Sequence, residues 1–504
     1  MLKYSNLIDI VAIFFCFWYN KVKCITKESV MESIKNTIVF KFLRGRSLKT
    51  KFIKMSIILG VLFLTFLSPS FGYLAVALCA MYMALEFSAD SIVWILLIGL
   101  NVPYISMFGM HMLMWEYIVI LLIQMAMGIV NKKINCKDWR FITLVSLFIV
   151  LCLLLVLPLA ESYKFSSQVM RLGMFATLLL AVWYIKQIKI KDILILFATS
   201  VAVVCVLFLI AKALGGGNDV LITNDYSKGT VERFSLFNLD PNFTGLALIC
   251  AIVSMFILYK KNLINKYIYF GGLSVFMIFS LMTISKATCM IIGLFGLYVA
   301  IENVIISIKT KNYKHLLELV YYLGAVLVAC VVCWKYVDAM FYRFSSAFDS
   351  GSTTTSSETM SNLTTGRSEL WVAYVDKIFS SWQIALFGVG VTGDYAVTGT
   401  AAHCMPIEYV YRYGILSVLI MLAILVVAVM PFIKKAKVYN FMPLVIIAGM
   451  LCSLGGISAR YIYVFAIQCF TLCYNGVEDE NLNNAINNND NKALNETNNE
   501  LLKS

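Results

Sequence analysis

Apolar runs of roughly 17 to 25 residues, long enough to cross a hydrocarbon layer as a helix, recur along most of this chain. They fall near 52–68, 72–88, 91–109, 112–130, 139–159, 168–187, 192–214, 243–259, 267–285, 287–308, 316–336, 407–433, 441–457 and 460–475. The pattern predicts an all-α, polytopic integral membrane protein of about 14 transmembrane helices. Two polar intervals, 215–242 and 338–406, are too long to be turns and predict loops on one side of the membrane. The second opens on a Ser/Thr-rich stretch, Ser345–Thr365. Further along it, Leu370, Trp371, Tyr374, Val375, Ile378 and Phe379 share one face at helical spacing. That face predicts a short helix along the membrane interface, with Trp371 and Trp382 at headgroup depth.

The ends read differently. Residues 1–51 form a basic arm whose one apolar run, Leu7–Tyr19, is short for a span and lacks a small-residue cleavage site. It predicts an uncleaved interfacial or partly inserted helix. Residues 476–504 are Asn-rich with almost no aromatics, a composition that predicts a disordered tail. The domain reading is an arm (1–51), a transmembrane domain (52–475) carrying both long loops, and the tail.

Composition agrees with the pattern. Of 504 residues, 61% are hydrophobic and 14% charged, whereas soluble domains are about half apolar and a quarter charged. The net charge of +13 could suggest a nucleic-acid partner, but 26 of the 41 Lys and Arg residues sit in 20–54, 131–140, 186–191, 260–266, 309–314 and 434–437. These are alternate connections between spans. Basic residues so placed mark the cytoplasmic side, which puts both termini inside and both long loops outside, and leaves no role for nucleic acid. The cysteines lie mostly within apolar runs (Cys79, Cys152, Cys205, Cys250), where they act as small hydrophobes. Cys330 and Cys333 have redox spacing but fall inside a predicted helix.

Candidate chemistry concentrates in the two long loops and the spans that flank them. Of the three histidines, His111 lies at a predicted helix end and His315 in a basic turn. His403 precedes an apolar span and is followed by Glu408, Tyr409, Tyr411, Arg412 and Tyr413. Two readings are open for it, an interfacial histidine at a helix start or an acid/base or phosphate-contacting group. Arg171, Arg233, Lys286, Arg343, Arg367, Arg412 and Arg460 face the same side or lie within spans. Each is either paired with a carboxylate (Glu232, Asp240, Glu369, Glu408) or available to a phosphate. Arginine suits a diphosphate because its planar fork donates two parallel hydrogen bonds, and Arg233 and Arg367 stand in the two long loops. Gly388-Val-Gly390-Val-Thr-Gly393 matches a dinucleotide fingerprint but lacks the βαβ setting, so it reads as a tight turn with close backbone approach. No phosphate-binding P-loop occurs, and neither loop carries the Asp-x-Asp pair that metal-dependent glycosyl transfer uses.

His403 with ten residues before Gly414 resembles the HX10G motif of the O-antigen ligase/polymerase superfamily. Thr-Gly-Arg367-Ser-Glu-Leu-Trp371 and Leu386-Phe-Gly-Val-Gly390 precede it in the order found there. Upstream, Arg233 leading to Asp240-Pro-Asn242 resembles that family's arginine loop, and Thr283-Ile-Ser285-Lys286-Ala287 resembles its Thr-x-Ser-Arg step with lysine for arginine. The resemblance covers about residues 170 to 430. It departs in the Arg-x-x-Leu spacing at Arg367, one residue shorter than in the ligases, and in the N-terminal arm.

The resemblance implies a metal-independent, inverting glycosyltransferase on the outer face of a bacterial cytoplasmic membrane. Its donor would be an oligosaccharide on undecaprenyl diphosphate, with membrane lipid around it, no cofactor, and a flippase and chain-length regulator as partners. The diphosphate already leaves well, so the enzyme has mainly to orient it and stabilise its charge, which arginines do without metal. His403, Arg367 and Arg233 are the expected catalytic residues. Lys286, Arg343, Arg412, Tyr409, Glu408 and Asn242 are the expected substrate contacts. The function implied is a polymerase of capsule, O-antigen or exopolysaccharide repeat units. The alternatives are a ligase passing glycan to another acceptor and, from another class, a lipid-linked oligosaccharide flippase.

Overall fold

A computed structural model of the protein describes residues 47–66, 70–88, 105–107, 110–130, 139–156, 190–214, 222–225, 231–235, 241–348, 367–389 and 402–433, with a few single positions besides. The predicted spans 168–187, 441–457 and 460–475, the N-terminal run and the Asn-rich tail lie outside the described residues.

The described part is mostly helical. In chain order it holds α1 (Leu48–Phe63), α2 (Ser70–Glu86), α3 (Met112–Val130), α4 (Trp139–Val156), α5 (Ile190–Ala213), α6 (Pro241–Lys260), α7 (Lys266–Met282), α8 (Lys286–Thr310), α9 (Lys314–Val332), α10 (Trp334–Phe348), α11 (Arg367–Phe379), α12 (Trp382–Phe387) and α13 (Met405–Ile433). Side-chain caps set several starts: Ser47 accepts from the Thr50 amide, Asn265 from Ile268 and Ser285 from Thr288. Among the described residues, five helices are long and apolar enough to cross a membrane: α3, α6, α8, α9 and the first part of α13, Met405–Ile424.

Two short antiparallel pairs break the all-helical expectation. Ser106–Met107 (β1) pairs with Met110–His111 (β2), so the end of the predicted 91–109 span is a hairpin and His111 is a strand residue. Ile222–Asp225 (β3) pairs with Val231–Phe234 (β4) inside the first long loop. The second long interval is also more ordered at its start than expected, since α10 continues to Phe348. Cys333 lies at the break between α9 and α10 rather than mid-helix.

The core is organised around α6. From Gly245 to Leu258 its side chains are apolar on every face but for Ser254, and 83% of its span is buried, whereas α8 and α9 are only 22% and 17% buried. A helix without a polar face belongs at the centre of a bundle. Those on the rim present Leu297, Leu327 and Val331 outward, as lipid-facing helices do. Buried ion pairs tie the first helices together: Lys51 to Asp192 at 3.6 Å and Lys54 to Glu86 at 3.8 Å. Lys51 and Lys54 are near the start of α1, Glu86 ends α2 and Asp192 begins α5, so these three ends share one level.

Candidate active site

The site residues fall into two groups, each at helix starts. In the first, Arg233 on β4 donates through Nε to the Thr283 carbonyl at 3.0 Å. Phe234 beside it is buried against Phe279, with ring centroids 5.0 Å apart. Thr283, Ile284 and Ser285 form the break between α7 and α8. Ile284 holds φ 48° there, a left-handed conformation that costs a β-branched residue on the order of 1–3 kcal/mol. The Ser285 hydroxyl caps α8 and also donates to Asn242 Oδ1 at 2.8 Å. Asn242 is in the first turn of α6, just after Pro241, which suits a first helical position. A Cβ on Gly245 would collide with the Thr288 side chain, so the starts of α6 and α8 approach closely. Lys286, half-buried, is the first residue of α8. Two helix N-termini, an arginine and a lysine therefore gather, an arrangement that favours an anion.

The second group is built on α11, α12 and the first turns of α13. The main-chain amide of His403 donates to Glu408 Oε1 at 3.0 Å. Glu408 is buried and lies 3.4 Å from Arg412 one turn on. His403 itself is exposed and left-handed at φ 50°. Arg367 is the first residue of α11, and Trp371 one turn later donates through Nε1 to the carbonyl of Ala402, next to His403. Tyr374 and Tyr411 meet edge-to-face at 5.0 Å and close a small core with Ile378, Ala385 and Ala402.

Gly388 and Gly414 hold this module to a fixed shape. Gly414 interrupts α13 at φ 76° and ψ 160°. The break turns carbonyls of the preceding turn out of the helix, and that of Tyr411 accepts the Val389 amide at 2.9 Å. Gly388, which ends α12, also has φ 76°. A Cβ on Gly388 would run into the Arg412 carbonyl, and one on Gly414 into the Leu386 carbonyl. Two main chains cross where neither tolerates a side chain. Nine residues of helix, Met405–Tyr413, at about 1.5 Å each then set how far His403 stands from that crossing.

Measured against the expectations, the structure joins Asn242 to the segment before Lys286, anchors Arg233 on that segment, and joins His403, Glu408 and Arg412. Arg233 donates to a main-chain carbonyl, and Arg412 has the carboxylate partner Glu408. The Tyr409 and Tyr413 rings meet tilted at 59° with centroids 5.1 Å apart and pack into the main core, so Tyr409 is a buried wall. Arg343 is on α10, and its side chain lies outside the described residues, as do Arg171, Arg460, Gly390 and Gly393. Trp371 is partly buried, its indole nitrogen donating to the Ala402 carbonyl, while Trp382 is 65% exposed. Ser285 and Thr283 were visible in sequence only as motif letters, and their capping and carbonyl roles need the three-dimensional bend. Among the described residues no three His, Cys, Asp or Glu side chains gather as metal ligands. Comparison with protein-family models, curated proteins and solved structures found no match to the chain.

Proposed function

We propose that this protein is a membrane polymerase that joins oligosaccharide repeat units carried on undecaprenyl diphosphate, working on the outer membrane face. The observation that carries the reading is the mutual fit of Gly388 and Gly414, which brings the end of α12 into close main-chain approach with the glycine of the HX10G region. A motif whose glycine is needed for contact, at a distance of 26 positions from its partner, is a stronger match than spacing by itself. In this reading Arg233 and Arg367 hold the diphosphate, aided by the starts of α6, α8 and α11. His403 takes the proton of the attacking sugar hydroxyl, and the diphosphate departs with the bond electrons. The lateral ion pairs Lys51–Asp192 and Lys54–Glu86 support the topology, because they join ends that the basic-turn pattern assigns to the cytoplasmic side.

The test is the length of lipid-linked glycan in cells lacking the protein. Single repeat units accumulating at the outer face support a polymerase. Long lipid-linked chains would indicate a ligase, and single units confined to the inner leaflet a flippase.

A further inference from the structure

A lateral groove of about 290 Å³ runs between α7 and α9 on the lipid-facing side of the bundle. It is lined by Lys266, Tyr267 and Gly271 along α7 and by Tyr321, Gly324 and Val328 along α9, with Lys266 at the start of its helix. Lys266 Nζ sits 5.2 Å from the ring centroid of Tyr267 and 5.7 Å from that of Tyr321, which holds the ammonium between the two rings. Open space lies beyond Gly271 and Gly324, where an added Cβ would meet no atom within 4 Å. The walls are apolar. α7 and α9 both start at this end of the bundle, beside the basic turns 260–266 and 309–314.

We infer that this groove binds one anionic phospholipid, its phosphate at Lys266 and one acyl chain in the channel over Gly271 and Gly324. The inference rests on the chain being a membrane protein and not on the polymerase reading. Three observations select this occupant. The cation is at the end of the groove where headgroups lie and the apolar part runs inward from it, matching the order of a phospholipid. The two tyrosines have the amphipathic character of side chains that settle at the headgroup level. Lys266 is the charged residue lining the groove, and it disfavours a cationic partner and favours the negatively charged leaflet.

The experiment uses the purified full-length protein in a neutral detergent, with dioleoyl phosphatidylglycerol, dioleoyl phosphatidylcholine and glycerol phosphate as separate probes. Native mass spectrometry reads the bound fraction. Phosphatidylglycerol should be retained at one site, phosphatidylcholine about five-fold less, and glycerol phosphate not at all, since it lacks the chain. Lys266→Gln should remove most of the headgroup preference. Gly324→Leu should block retention of either lipid. The second variant replaces a glycine in a helix by a better helix former with room to fit, so loss of fold is not the expected cause. A unimodal elution profile and unchanged thermal transition check that. Equal retention of the two lipids, phosphatidylglycerol binding unaffected by both variants, or a dimer sealed across α7 and α9 that Gly324→Leu disrupts would overturn the inference.

Discussion

The His403 amide and the Glu408 carboxylate are joined at 3.0 Å, and the same carboxylate lies 3.4 Å from Arg412. Glu408 thus fixes the main chain at His403 in its left-handed turn while meeting a cation one helical turn away. Removing it loosens the imidazole's mounting and leaves Arg412 without that partner. Glu408→Ala should lower polymer formation by roughly ten- to a hundred-fold, the scale of a lost charge-assisted hydrogen bond. Glu408→Gln keeps an acceptor for the amide and should recover most of the rate. Because the effect acts through positioning, it should appear in kcat more than in the KM for donor. Equal behaviour of the Ala and Gln variants would contradict it.

Gly414→Ala should be costly, because an L-residue at φ 76° is strained and its Cβ meets the Leu386 carbonyl. A loss of at least about 1–3 kcal/mol is expected from the conformation alone. Gly388→Ala should behave alike, since its Cβ meets the Arg412 carbonyl. Gly60→Ala is the comparison: a Cβ there meets nothing within 4 Å in α1, and helix propensity favours alanine by up to about 1 kcal/mol. Thermal unfolding of the purified variants in one detergent reads the difference.

Arg233→Lys and Arg367→Lys preserve charge but not the planar fork. Each should lose most of the polymerisation rate if the fork clamps a diphosphate. The check is initial rate at saturating and limiting donor. Normal rates in both variants would remove the clamp from the mechanism.

Lys54 and Glu86 are fully buried partners. Lys54→Met alone should destabilise by about 3–5 kcal/mol by leaving a buried carboxylate without this cation. The double variant Lys54→Met with Glu86→Leu should recover much of that loss, since apolar replacements of a buried pair are often neutral. Thermal transitions of the two singles and the double form the cycle that decides it.

Much of this architecture was legible in the apolar runs. The segment near 112–130 became α3, Met112–Val130, and that near 243–259 became α6, Pro241–Lys260, because a span must bury its own backbone polar groups whatever surrounds it. The strands 222–225 and 231–234 were not legible, since four residues of mixed polarity carry no period. α10 was missed because its Lys335, Asp338 and Arg343 resemble loop composition. The contact of Trp371 with Ala402 was not legible because one apolar stripe does not say which neighbour covers it; Phe379 on that stripe is 67% exposed while Tyr374 is 1%. Gly388 was read as a turn with close backbone approach, and it is one. What sequence did not reveal is that the approaching strand of backbone is the kink at Gly414.

The most direct test of the account is polymer formation in vitro by the purified protein, given purified undecaprenyl-diphosphate repeat units and EDTA, with His403→Gln alongside at matched amount. The wild type should convert single units into a ladder of longer lipid-linked chains. The Gln variant should be slower by about 10²- to 10⁴-fold, the usual share of general acid–base catalysis. If the wild type leaves single units unextended, or the Gln variant extends them at the wild-type rate, the assignment of polymerisation to the His403 site is wrong.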